Sequence, residues 1–179
     1  MLVRYIALLR GVNVGGNVVK MERLRAIFSE LGFKNARTYV QSGNVVFEAE
    51  GSPSTLSQSI EHGLAGETRL PVSVIVRTAA QMKRIVANNP FLKQKTIDRS
   101  KLHVTFLGGA APRDALRKLS AVDCGDDQFR PSAKEIYLYC PNGYARTKLA
   151  NNRLEKLLSV RATTRNWNTV GKLCEMAAD

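Results

Sequence analysis

The chain of 179 residues is 44% hydrophobic and 23% charged, a balance that suits a globular protein able to bury a core without disulfides or metals and that excludes a disordered chain. Its longest apolar runs, around Tyr5 to Leu9 and Val72 to Val76, are far shorter than the roughly 20 residues a bilayer span needs. Arg4 and Arg10 bracket the first run too closely for a secretory signal, so a soluble, cytoplasmic protein without a membrane partner is expected.

The formal net charge of +12 accumulates anions around the chain and favours an anionic small molecule or nucleic acid as partner. Lys and Arg are scattered through the sequence, so a plain solvated basic surface is the competing explanation. Cys124, Cys140 and Cys174 are odd in number and widely spaced, which supports neither a disulfide framework nor a zinc site. His62 and His103 have no second ligand at metal spacing. No metal and no cofactor is expected.

Val3 to Leu9 is an apolar run that ends at Arg10 and is followed by Gly11, Gly15 and Gly16, the pattern of a buried strand leading into a Gly-rich loop. Met21, Leu24, Ile27, Phe28 and Leu31 recur at helical spacing, and Gly32 then Phe33 supply a stop. Arg37 to Val40 and Val45 to Ala49 are β-prone segments separated by Gln41, Ser42, Gly43 and Asn44, which predicts a hairpin. Ser52 and Pro53 begin a second helix with Leu56, Ile60 and Leu64 on one face. Val72 to Val76 is the fourth strand, and Thr78 with Gln81 forms a capping box for a third helix, which Asn88, Asn89 and Pro90 end.

The order of elements then repeats. Leu102, Val104 and Phe106 alternate as a strand, Pro112 opens a helix carrying Leu116 and Leu119, and Ile136, Leu138 and Cys140 alternate with Tyr137 and Tyr139 in a strand that Pro141, Asn142 and Gly143 terminate. Leu149, Leu154, Leu157 and Leu158 mark another helix, Val160 to Thr164 a short strand, and Asn166 an N-cap for a last helix lined by Trp167, Val170, Leu173 and Cys174. The fold class is therefore α+β, with two ferredoxin-like βαββαβ halves, each followed by an extra helix. The halves are expected over residues 1–89 and 101–179, with 90–100 as linker. Oligomeric state is not encoded in these patterns.

Three segments, Tyr5 through Gly16, Arg37 through Phe47 and Thr163 through Val170, resemble the bacterial family catalogued as domain of unknown function 1697. The resemblance extends over essentially the whole chain. It implies an α+β fold with ferredoxin-like halves, and it implies no reaction, substrate or catalytic residue.

Three clusters can carry chemistry. The first is Arg10 through Lys20, including Gly11, Asn13, Gly15, Gly16 and Asn17, a Gly-rich loop between a strand and a helix start. Such loops turn backbone N–H groups toward an anion. It matches neither a Walker A nor a Rossmann pattern, and the alternative is a long turn whose glycines only supply positive φ. The second is Gln41, Ser42, Gly43 and Asn44, by themselves a hairpin turn. In a ferredoxin-like half the third strand lies antiparallel beside the first, so this turn and the Arg10 loop emerge at the same edge. The third is Arg165, Asn166 and Trp167, read either as a phosphate fork with an indole platform or as a core anchor for the last helix. Tyr137 and Tyr139 pose a similar choice between helix cover and base stacking, and the need to place helices favours cover.

Ser42 has no nearby His or other base in the sequence, and no pair of carboxylates stands at a spacing suited to acid–base work. The leading expectation is a binding protein for an anionic, phosphate-bearing ligand such as a nucleotide or RNA segment. The alternatives are a transferase or hydrolase using the same loops, with Ser42 or Lys20 engaged, and a purely structural or dimerising protein.

Overall fold

The computed structural model describes residues 1–40, 43–69 and 71–179. The chain divides into two compact units, one of Met1–Arg84 with Lys172–Asp179 and the other of Ile85–Gly171.

The first unit runs β1 (Val3–Arg10), α1 (Met21–Glu30), β2 (Lys34–Tyr39), β3 (Asn44–Ala49), α2 (Pro53–Leu64), β4 (Ser73–Thr78) and into α3 (Ala79–Ala87). Its sheet has the order β2-β3-β1-β4 with every pair antiparallel, the strand order of a ferredoxin-like split βαβ unit. Alternate residues of the strands, Tyr5, Ala7 and Leu9 from β1 with Val45 and Phe47 from β3, join Leu24, Ile27 and Phe28 of α1 and Ile60 of α2 in one core. Ile6 and Leu8, between those positions, are also fully buried. Strand β1 is thus covered on both faces, which is why it reads as a continuous apolar run without alternation.

The expected local signals are realised atom by atom. At the end of α1 the Phe33 amide donates to the Phe28 carbonyl at 3.0 Å and the Gly32 amide to Ser29 at 2.9 Å, the paired bonds of a Schellman stop, with Gly32 at φ +80°. Phe28 and Phe33 meet edge to face with centroids 5.8 Å apart. The Thr55 amide donates to Ser52 Oγ at 3.2 Å to start α2. Thr78 and Gln81 cap each other, the Thr78 amide donating to Gln81 Oε1 at 2.9 Å and the Gln81 amide to Thr78 Oγ1 at 3.1 Å.

The second unit contains β5 (Leu102–Leu107), α4 (Arg113–Ser120), β6 (Gln128–Pro131), β7 (Glu135–Tyr139), α5 (Asn151–Leu158) and β8 (Ala162–Asn166), and the chain returns to the first unit at Lys172, within α6 (Trp167–Ala178). Its sheet order, β6-β7-β5-β8, repeats that of the first. Leu107, Leu119, Ile136, Leu138, Leu154 and Leu158 form its helix-side core. Residues Pro90–Lys93 form a short 3-10 turn in which Phe91 is fully buried. On the other face of β7, Tyr137 is buried and its hydroxyl donates to the Ile85 carbonyl of α3 at 3.0 Å, so this tyrosine is helix-covered. Burial pushes its phenol up to about 12. Among the described residues no helix is long and apolar enough to cross a membrane.

Candidate functional site

Antiparallel pairing decides what meets at the end of the first sheet. Leu8 pairs with Asn44 and Arg10 with Ser73, so β1 ends where β3 and β4 begin. The β1–α1, β2–β3 and α2–β4 connections all come to this one edge. The Leu9 amide donates to the Gly43 carbonyl at 2.7 Å, and the Asn44 side-chain amide donates to the Tyr39 carbonyl at 3.2 Å. Gly43 and Asn44 thus lie against Leu9 and Leu8 at the end of β1. Gln41 and Ser42 lie outside the described residues.

Within the β1–α1 connection the asparagines face inward. Asn17 is 2% exposed; its Nδ2 donates to the Gly11 carbonyl at 2.7 Å and its Oδ1 accepts the Arg69 amide at 2.8 Å. Asn13 Oδ1 accepts the Val19 amide at 2.9 Å. The Asn13 amide donates to the Asn17 carbonyl at 2.7 Å and the Asn17 amide to Val14 at 3.0 Å. These groups fasten the loop, as buried polar atoms must be satisfied. The loop surface is left to Val14, Gly15, Gly16, Val18 and Lys20, all exposed. Gly11, Gly15 and Gly16 all have positive φ. Lys20 occupies the N-cap of α1 and, as an ammonium, offers no acceptor to the first-turn amides.

A residue that sequence reasoning missed completes the edge. Arg69, exposed and tied by its amide to Asn17, comes from the α2–β4 connection. The same topological argument that joined the first two loops predicts this third one, because β4 also lies antiparallel beside β1. Over residues 10–30 and 65–73 there are five cations and three carboxylates. The carboxylates pair with arginines on the helix side: Glu67 with Arg23 at 2.6 Å, Glu30 with Arg23 at 2.7 Å and Glu22 with Arg25 at 3.5 Å. Arg23 holds the Glu67 carboxyl below its ordinary value. Lys20 and Arg69, both exposed, are outside these pairs.

A cleft of about 310 Å³ lies elsewhere in the first unit, lined by Arg4, Asn35, Arg37, Glu48 and Asp179 among others. Its cations are engaged. Arg4 donates to Glu48 Oε1 at 2.8 Å and to the Ala177 carbonyl at 3.2 Å, and Arg37 donates to the Met176 carbonyl and pairs with Asp179 at 3.6 Å. The two arginines cap the negative end of α6.

The third cluster lies in the second unit. Arg165 Nη1 donates to Thr163 Oγ1 at 2.8 Å and to the Thr164 carbonyl at 3.0 Å, and burial lowers its guanidinium to about 10. Asn166 caps α6 as expected, its Oδ1 accepting the Thr169 amide at 2.8 Å. Trp167, the first residue of α6, is half-buried.

The family model described as "Protein of unknown function (DUF1697)" matches residues 2–137. The chain belongs to this family. The family's own description assigns no activity, so the membership brings no substrate or catalytic residue to the loop edge. In structure the chain is similar to the conserved bacterial protein SP0830 from Streptococcus pneumoniae, at 22% identity and a TM-score of 0.80, with both chains covered over 100% of their length. That likeness establishes a shared fold. No curated protein matches the chain.

Proposed function

We propose that this chain is a binding protein for an anionic, phosphate-bearing ligand, held at the loop edge of the first unit. One observation carries the reading: two separate connections, the β1–α1 loop ending at Lys20 and the α2–β4 loop carrying Arg69, reach the edge where β1 ends and β4 begins, and the Asn17 side chain ties the one to the other. Cations on two separate connections approach an anion from different sides, whereas cations on a single helix face do not. Between them stand the exposed Gly15 and Gly16 and the start of α1, whose positive dipole end adds to the attraction. The loop is fastened through Asn13 and Asn17, so little ordering is needed on binding, which favours affinity.

Titration calorimetry with pyrophosphate tests this. Lys20→Ala and Arg69→Ala should each weaken binding, and the affinity of the unchanged protein should fall as salt is raised. Both side chains are exposed, so stability should stay within about 0.5 kcal/mol. Absence of binding, or affinity indifferent to both substitutions, would overturn the reading.

A further inference from the structure

The edge that gathers the cations also gathers exposed valines. Among the described residues the large hydrophobic side chains most open to solvent are Met1 and Leu2 at the N-terminus and Val14, Val18 and Val40, which are 60%, 70% and 53% exposed. Isolated exposed apolar residues are ordinary. Here Val14 and Val18 share with Lys20 the β1–α1 connection, whose Asn17 holds the Arg69 amide, Val40 follows β2 at the same edge of the sheet, and none lies on the solvated helix faces. Val40 also holds φ at +48°, where a β-branched residue is sterically disfavoured, although Asn or Gly would serve a turn alone.

Inorganic phosphate would satisfy the cations and leave the valines wet. A second copy of the chain would bring like charge to like charge, at +12 each. A lipid surface is usually engaged by Trp, Phe or Leu on an amphipathic helix face, and the apolar residues here are short side chains on tight turns. The complementary partner carries phosphate and a compact apolar face within one molecule. We propose that the ligand is a nucleotide, its phosphates against Lys20 and Arg69 and its base and sugar against Val14, Val18 and Val40. This deepens the phosphate-bearing reading above and rests on it. The nucleotide unit comes from two sources, a soluble nucleotide or single-stranded RNA.

The test compares ligands of equal charge on the full chain. Adenosine triphosphate and inorganic tripolyphosphate are titrated side by side, with an eight-residue RNA and phosphatidylglycerol vesicles as further arms. The nucleotide should bind about tenfold tighter than tripolyphosphate, the ratio that about 1.4 kcal/mol of added contact gives. Val14→Ser and Val18→Ser, both at exposed positions, should abolish that difference while leaving tripolyphosphate affinity unchanged. Tighter binding of RNA with a steeper salt dependence would assign the unit to a polymer, and tighter binding of the triphosphate to a soluble nucleotide; either outcome supports the inference. Equal affinity for nucleotide and tripolyphosphate overturns it and leaves the phosphate reading intact. Binding of neither overturns both, and binding to vesicles without binding to nucleotide overturns it in favour of a lipid surface.

Discussion

Gly43 and Leu9 approach so closely that a Cβ on Gly43 would stand 2.9 Å from the Leu9 Cβ and 3.0 Å from the Leu9 carbonyl oxygen, while the Leu9 amide donates to the Gly43 carbonyl. This contact fixes the β2–β3 turn against the end of β1 and so sets the spacing of the loop edge.

Gly43→Ala should therefore destabilise the protein by more than about 2 kcal/mol. The φ of +74° costs an L-residue roughly 1–2 kcal/mol, and the overlap with backbone adds overpacking strain. Chemical denaturation followed by circular dichroism measures it. Gly16→Ala, where nothing lies within 4 Å of the added carbon, should lose only the conformational part, and equal losses at the two positions would contradict the account.

Asn17 is the node of the β1–α1 loop. Asn17→Ala leaves the Gly11 carbonyl and the Arg69 amide without their partner, and a loss of about 2–3 kcal/mol is expected from buried polar groups deprived of hydrogen bonds. Lys20→Ala, at the exposed end of the same loop, should change stability little. Denaturation midpoints of the two variants separate the fastening of the loop from its surface.

Val40→Asn should stabilise the protein by about 0.5–1 kcal/mol, because Asn tolerates the left-handed region better than a β-branched residue. The same change should weaken nucleotide binding. A variant more stable and less able to bind places Val40 on the ligand side of the balance; one that loses stability would remove the strain argument.

Acid sensitivity should trace to Glu48. Arg4 donates to it from Nε at 3.3 Å and Nη2 at 2.8 Å, and Asn35 donates to its other oxygen at 2.8 Å, which holds the carboxyl below its ordinary value of 4.5. A carboxyl depressed in the folded state contributes stability above its unfolded value and loses it as pH falls through the folded value. Glu48→Gln should lower stability near neutrality and flatten the acid limb of the stability curve. Parallel acid limbs in the two proteins would assign the sensitivity to other carboxylates.

Much of this architecture was legible in the sequence because local chemistry and topology agree. Thr78 and Gln81, Ser52, Asn166 and the Gly32–Phe33 stop act within a few residues, so their spacing alone announces them. The repeat of element order yielded both strand orders. Strand β6 carried no such sign: Gln128–Pro131 is only four residues long, mostly exposed, with Phe129 alone partly buried, and ends on proline, as suits an edge strand, and only its pairing with β7 makes it one. At the candidate site, topology alone brings the loop after Arg10 and the turn entering β3 to one edge of the sheet, but a long-range bond to the Arg69 amide decides that Asn17 turns inward. Arg69 itself sits in a connection without glycine-rich punctuation beside it, and only the pairing of β4 with β1 draws it to the edge.

The most direct test of phosphate binding at this edge is an amide-resolved NMR titration of the full chain with pyrophosphate. Saturable shifts concentrated at Gly15, Gly16, Lys20, Met21 and Arg69 are expected. Shifts scattered without saturation over the basic surface, or concentrated around Arg165 to Trp167, would contradict it.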